Sequence, residues 1–272
     1  MDKAGREYWD HSWSASELPD LVDPRAPGLD NFVQRRFHGL FEALLSGQET
    51  RGKRLLEFGC ARSTWLPYFA TEFGLEVSGI DYSQAGCEQA RAILRRANVP
   101  GEITRADFFT PPEELQEQFD FGVSFGVAEH FQDTAACITA FSRFLKPGGR
   151  LLTVVPNMAG SVGFLQKVLS RAVYDIHVPL DAPMLVAAHE RAGFTFERGG
   201  YFLSTHFGVC NLNGVPENTA MWRVKRLTLT LLTRLSMGAW LAEERLGSFA
   251  GRPPAWIQRV CSPYIFCWAV KK

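Results

Sequence analysis

The sequence lacks a net charge: 29 Lys and Arg are matched by 29 Asp and Glu. Without an overall field, nothing draws the chain as a whole toward nucleic acid, an acidic substrate or an anionic surface, and recognition has to be local. It also lacks paired cysteines. Cys60, Cys87, Cys137, Cys210, Cys261 and Cys267 are scattered, with no CxxC pair and no Cys/His cluster at zinc-ligand spacing. Neither a disulfide framework nor a structural zinc site is expected. No uninterrupted apolar run approaches the roughly 18 to 20 residues of a spanning helix, and there is no internal repeat or low-complexity tract. The segment before Trp13 mixes charges ahead of any apolar run, the wrong order for a secretory signal. A reduced, cytoplasmic setting is the expectation.

What is present is an alternation. From Lys53 to Val155 short apolar runs alternate with longer amphipathic ones, the pattern of βαβ units around a parallel sheet. The spacing predicts strands at Arg54–Phe58, Glu76–Ile80, Glu102–Ala106, Phe119–Phe125 and Arg150–Val155. Helices are predicted at Thr64–Phe73, Gln84–Ala97 and Thr134–Leu145, the last closed by Lys146-Pro147-Gly148-Gly149. Residues 1–50 hold an aromatic opening (Tyr8, Trp9, Trp13), a Pro-rich turn region and an amphipathic helix from about Asn31 to Leu45, together a helical cap. A core over 51–210 includes a helix at Ala182–Ala192 and an apolar run at Phe194–Phe207; the latter pairs with a last core strand within 263–272. Between them, 211–262 reads as a helical insertion with seven basic residues against three acidic ones, and with Leu227, Leu231 and Leu235 in helical register.

Four motifs carry chemistry. In the first, the apolar run ending at Glu57-Phe58 meets Gly59-Cys60-Ala61-Arg62-Ser63-Thr64. Small residues there let the backbone turn sharply toward a ligand, and the following helix offers unpaired N–H groups to an anion. A dinucleotide fingerprint would need glycines at 59, 61 and 64; Ala61 and Thr64 suit a carboxylate better than a pyrophosphate. By itself such a turn is also an ordinary strand-to-helix connection. In the second motif, Asp81 ends the next strand and is followed by Tyr82-Ser83. Its carboxylate can accept two hydrogen bonds from a vicinal diol, or it caps a helix. The third, Asp107-Phe108-Phe109, combines an acceptor with apolar surface, as an adenine requires, or is a turn Asp before core phenylalanines. The fourth runs Phe119-Asp120-Phe121-Gly122-Val123-Ser124-Phe125-Gly126-Val127-Ala128-Glu129-His130-Phe131.

Taken together, and with Leu145-Lys-Pro-Gly-Gly-Arg150, these residues resemble the class I S-adenosylmethionine-dependent methyltransferases over roughly 50 to 205, and most nearly the small-molecule branch that includes ubiquinone-type O-methyltransferases. The resemblance implies an α/β Rossmann-like, seven-stranded, mostly parallel sheet with helices on both faces and an antiparallel last strand. It implies S-adenosylmethionine as cofactor and a small-molecule acceptor. The turn through Gly59, Cys60, Ala61 and Ser63 would hold the methionine moiety, with Glu57 beneath it. Asp81 and Tyr82 would bind the ribose, and Asp107 and Phe108 would frame the adenine. Phe125, Gly126 and Val127 would line the sulfonium end. The aromatic opening resembles segments that fold over the cofactor, with Trp13 as a contact; core packing is the alternative. Some ubiquinone-type relatives bind a metal through a cluster that includes the Glu-His pair. Gly126 departs from that cluster, so no metal is expected.

Methyl transfer from a sulfonium is an in-line displacement, so positioning supplies much of the acceleration. A base is needed only for a protonated acceptor. His130 is the candidate, with Glu129 beside it; positioning of neighbouring structure is the alternative for both. His177 and Asn157 are candidate acceptor contacts. The insertion has three readings: a lid, a dimer surface, or a peripheral membrane element. A nicotinamide-dependent oxidoreductase and a non-catalytic cofactor-binding scaffold are the competing functions. Nucleic-acid methylation is disfavoured, because the fourth strand ends in Ser-Phe-Gly-Val and not in the Asn/Asp-Pro-Pro-aromatic run of base-modifying relatives.

Overall fold

A parallel strand covered by helices on both sides has no face for water, so its sequence runs apolar without alternation. β1 (Arg54–Phe58) is buried from Leu55 onward, Glu57 included, whereas β2 (Glu76–Asp81) sets Val77 and Ile80 among small and polar residues; both end buried. β3 (Gly101–Arg105) lies at an edge and is largely exposed. β4 (Phe119–Phe125) and β5 (Leu145–Pro156) complete the parallel part, and β6 (Phe194–Phe202) and β7 (Tyr264–Lys271) close the sheet. The computed structural model describes residues 2–14, 17–246 and 254–272. Arg252, counted above in the basic excess of the insertion, lies outside them.

The seven strands are ordered β3-β2-β1-β4-β5-β7-β6. All neighbours through β5 are parallel, and β7 runs antiparallel to both β5 and β6. The order reverses between β1 and β4, and ligands of open α/β sheets bind at the carboxyl ends of strands beside such a switch point. Two cores flank the sheet. On one face α2 (Phe32–Leu45), α3 (Trp65–Phe73) and α4 (Gln84–Arg96) bury Phe41, Phe69 and Ala90 against β1 and β2. On the other, α5 (Thr134–Ser142) and α8 (Ala182–Arg191) bury Phe141 and Leu185. α1 (Arg6–Ser14) crosses α4 outside the sheet.

Three sequence expectations need correction. The helix predicted to reach Leu145 ends at Ser142, because Leu145 pairs with Phe119 and opens β5, with a register shift after Phe119. Lys146-Pro147-Gly148-Gly149 is thus part of a bent strand, pinned by the Lys146–Asp120 ion pair at 2.8 Å. The run predicted from Phe194 to Phe207 is a strand only to Phe202, and Leu203 takes a left-handed φ of 64°. Between β5 and α8 two unforeseen helices appear, α6 (Ser161–Leu169) and α7 (Arg171–Asp175), with the Ser170 hydroxyl accepting from Val173 N–H at the start of α7. The insertion is helical as expected: α9 (Ala220–Leu246) and α10 (Ala255–Cys261). No described helix is long and apolar enough to cross a membrane.

One close approach fixes how α4 meets β1. A Cβ at Gly86 would stand 2.5 Å from the Cβ of Ala61, in the turn that follows β1. Gly86→Ala is therefore expected to lower stability by about 1–3 kcal/mol, as overpacking of a tight interior does. Urea unfolding should show a lower midpoint at unchanged slope; an unchanged midpoint would mean that this contact is not tight.

Candidate active site

The turn after β1 is built by its backbone. Gly59 has φ +72°, and a Cβ there would meet Val127 Cγ2 at 2.4 Å, so the position needs glycine both for its conformation and for its neighbour. Gly59 N–H donates to Ile80 O at 2.9 Å, tying the turn to β2. Ser63 locks the far side: its hydroxyl donates to the Glu57 carboxylate and accepts from the N–H groups of Trp65 and Leu66, at the start of α3. Burial pushes the Glu57 carboxyl up to about 8, against the pull of that hydrogen bond. The Cys60 side chain is fully buried and packs against Gly79, away from the turn's open side.

Asp81, at the end of β2, is buried and accepts two backbone hydrogen bonds, from Ala61 N–H at 3.1 Å and from Ser83 N–H at 2.8 Å. Each bond occupies a different carboxylate oxygen. Desolvation raises its pKa to about 6, the hydrogen bonds opposing it. The helix-cap alternative for Asp81 is settled by its neighbour, since the Ser83 hydroxyl accepts from Gly86 N–H and caps α4. Ser83 in turn donates to Asp10 of α1 at 2.6 Å, and Tyr82 donates to Asp2 at 2.9 Å. Gln89 on α4 donates to the carbonyl of Trp13 at 2.5 Å. These bonds hold the N-terminal segment over the ends of β1 and β2.

An open cleft lies between them. From α1 it is walled by Trp9 and Trp13, whose rings stack at 5.5 Å. Gly59, Ala61, Asp81 and Tyr82 form the side toward β1 and β2. Phe125, Gly126 and Val127 line it after β4 with His130 and Phe131, and Phe108 meets Phe131 at 5.6 Å between ring centroids. No described residue of 211–262 is part of this wall; the cover is α1.

Several predicted site residues stand outside the wall. Asp107 is exposed, and its carboxylate accepts from Phe109 N–H at 2.9 Å within its own turn. Asn157 is fully buried and donates through Nδ2 to Arg259 O and Ser262 O, both at 2.9 Å. It joins the end of β5 to α10. Glu57, Cys60 and Ser63 lie beneath the turn. Asp2, Trp9 and Phe131 complete the wall; the aromatic opening marked Trp9 and the fourth motif ends at Phe131, while nothing in the sequence marked Asp2.

Glu129 and His130 form a 3₁₀ turn after β4 with Ala128, and the fold brings His177 to them. The two imidazole centroids are 4.5 Å apart, and the Trp9 ring meets His130 edge-on at 5.0 Å. His130 Nδ1 lies 2.9 Å from Ile176 O, and His177 Nδ1 lies 2.6 Å from Val173 O. A carbonyl only accepts, so each Nδ1 carries the proton and each Nε2 keeps its lone pair. Burial pushes His130 down to about 4 and lowers His177 as well, so both are neutral at pH 7. Glu129 is pushed up to about 8 by burial, and its Oε2 has no hydrogen-bond partner. One ligand atom from each of the three side chains lies within 4.8 Å of the others. Although Gly126 removes one acid of the relatives' cluster, two imidazoles and a carboxylate with an unsatisfied oxygen fit a divalent transition-metal ion.

Comparison with known proteins agrees with this geometry. The family model described as a methyltransferase domain matches residues 29–198. A ubiquinone biosynthesis O-methyltransferase of Pseudomonas fluorescens (strain SBW25) is 28% identical over 203 residues, covering 72% of this chain and 81% of the relative. Among solved structures, a sarcosine dimethylglycine methyltransferase from Galdieria sulphuraria superposes with a TM-score of 0.59 at 12% identity, covering 100% of this chain and 99% of that one. Geranyl diphosphate C-methyltransferase from Streptomyces coelicolor A3(2), solved with S-adenosyl-L-homocysteine, gives 0.59 at 15% identity and 98% coverage of both chains. The cofactor is therefore S-adenosylmethionine and the nicotinamide reading falls away. The match over residues 29–198 makes the chain a member of the methyltransferase domain family, a class I S-adenosylmethionine-dependent methyltransferase.

Proposed function

We propose that this enzyme moves the methyl group to a hydroxyl oxygen of a small, largely apolar acceptor. The observation that carries the reading is the neutral His130 imidazole at the Val127 end of the cleft, its Nε2 free to accept a hydrogen bond. An imidazole of that tautomer orients a hydroxyl by accepting a hydrogen bond from it, and the methyl-bearing sulfur lies at the same end if the methionine moiety occupies the Gly59 turn. Phe125, Val127, Phe131 and Trp9 suit an acceptor with apolar surface. The O-methyltransferase relatives support oxygen as the receiving atom. Glu129, His130 and His177 would alternatively hold a divalent cation, with the same His130 Nε2 as a ligand in place of that hydrogen bond, and the cation would lower the pKa of a neighbouring hydroxyl. No overall basic field favours a nucleic-acid acceptor.

Within this reading Asp81 receives the ribose hydroxyls, with Tyr82 beside it, and Trp13 covers the cofactor. Glu57, Cys60 and Ser63 support the turn without facing the ligand. Asp107, spent on its own turn, leaves Phe108 as the residue against adenine. His177 buttresses His130, and Asn157 holds the end of β5.

Three outcomes test these assignments. Incubation with S-adenosylmethionine and a catechol bearing a hydrocarbon tail should release S-adenosylhomocysteine and yield a methyl ether by mass spectrometry. Transfer to the corresponding aniline but not to the catechol would refute oxygen as acceptor. His130→Ala should lower kcat by about 10²-fold or more while S-adenosylhomocysteine affinity stays within about threefold; an equal loss of both would remove His130 from the acceptor end. Ionised Asp81 is the form that accepts from the diol, and its pKa in the free protein is raised to about 6. Binding measured by calorimetry should thus be flat above about pH 7 and weaken toward tenfold per pH unit below 6. Affinity constant down to pH 5 would contradict that role.

A further inference from the structure

Helix α9 buries one side and leaves a second apolar side in water. Its inner face is set by Leu229, Met237 and Trp240, which pack with Cys210, Phe32 and Leu203, and by Ser236, whose hydroxyl accepts from Phe207 N–H at 3.2 Å. On the outer face Met221, Val224, Leu227, Leu231 and Leu235 are all exposed, Leu235 by 66%. At roughly 100° per residue these five fall within an arc of about 120°, opposite the buried side. A stripe of that kind has no use in the core and is costly in water.

The charges beside the stripe are of one sign. Between Ala220 and Trp240 every charged residue is basic: Arg223, Lys225, Arg226 and Arg234. The helix's two acids come later and turn to the body of the protein, Glu243 accepting from Ser204 and Glu244 from Arg35. The neighbouring short helices add to the apolar surface. α6 adjoins α9, with Lys225 Nζ donating to Leu169 O at 2.8 Å, and exposes Phe164 (73%) and Val168 one turn apart. α10 adjoins α6 and exposes Trp256 (71%) and Val260, again one turn apart.

We infer that this surface docks on an anionic lipid bilayer, with α9 lying in the plane of the interface. An apolar stripe flanked by Arg and Lys, with Trp at the margin, is the chemistry that partitions to the boundary between headgroups and acyl chains. Arg234 within the stripe's span keeps the helix at the surface and out of the hydrocarbon. A second copy of the chain suits the surface less well: two such helices face to face would bring like charges at 223 and 234 together with no acid between them. A lid over the cleft is also less apt, because the cleft's cover is α1 and the stripe points away from the protein. The inference is independent of the acceptor's identity.

The test uses the full chain and sedimentation with vesicles of phosphatidylcholine, alone or with about a third phosphatidylglycerol. The protein should bind the anionic vesicles at least tenfold more tightly than the neutral ones, and added salt should weaken that binding. Leu231→Glu with Leu235→Glu, both on the exposed face, should abolish binding while leaving S-adenosylhomocysteine affinity unchanged. Arg223→Gln with Arg234→Gln should erase the preference for anionic lipid. Vesicle binding indifferent to either pair, or no binding at all, overturns the proposal. So does a concentration-dependent dimer in light scattering that Leu231→Glu with Leu235→Glu converts to monomer, which would assign the stripe to a second copy.

Discussion

A carboxylate taken out of water needs donors, and Asp81 finds its two on different segments: Ala61 in the turn after β1 and Ser83 at the start of α4. That one side chain therefore fixes the distance between the turn that would cradle an amino acid and the strand end that would hold a sugar. The bonds are not enough to offset burial fully, and the pKa stays raised to about 6. The carboxylate is still short of donors, which is the electrostatic condition for a diol to bind there. Around it the network spreads outward. Ser83 and Tyr82 reach Asp10 and Asp2, and through them α1 is held across the cleft. The cover over the site thus depends on the same strand end as its floor.

At the opposite end the logic is reversed. His130 and His177 give their Nδ1 protons to backbone carbonyls, so their orientation is set by the chain and their charge is suppressed by burial. A neutral imidazole beside a positively charged sulfonium adds no repulsion, and its lone pair is presented to the cleft. With a conjugate acid near 4, His130 is a weak base at pH 7. Its contribution is positioning more than proton uptake, in keeping with a displacement whose main demand is alignment. Glu129 beneath them keeps an oxygen without a partner, the feature that most strongly suggests a cation at this end.

The parts of the fold legible in the sequence were those with a local cause. β1, β2 and β4 are short segments built around apolar residues between longer amphipathic stretches, and Gly59 marks a turn where φ is positive. Asp81 was visible as an acid at a strand end, though only the fold could show that Ser83 takes the cap and leaves Asp81 for another use. The misreadings have non-local causes. Lys146-Pro147-Gly148-Gly149 looks like a helix stop followed by a loop, but pairing of Leu145 with Phe119 draws the segment into β5. The meeting of His130 with His177, 47 residues apart, leaves no periodic trace, and neither does the bond from Tyr82 to Asp2. Asp107 and Asn157, candidates from their places after strands, are consumed by structure: one by its own turn, the other by the carbonyls of Arg259 and Ser262.

We propose the Asp81 carboxylate as the polar anchor for the cofactor as well as the link between β1 and β2. Isothermal titration of S-adenosylhomocysteine into Asp81→Asn tests it most directly, with thermal unfolding as the control for folding. Charge-assisted hydrogen bonds of this kind are worth about 2–3 kcal/mol, so affinity should fall by roughly 30-fold or more in a protein that still unfolds cooperatively. Affinity within about threefold of the native chain, in a folded variant, would contradict the account.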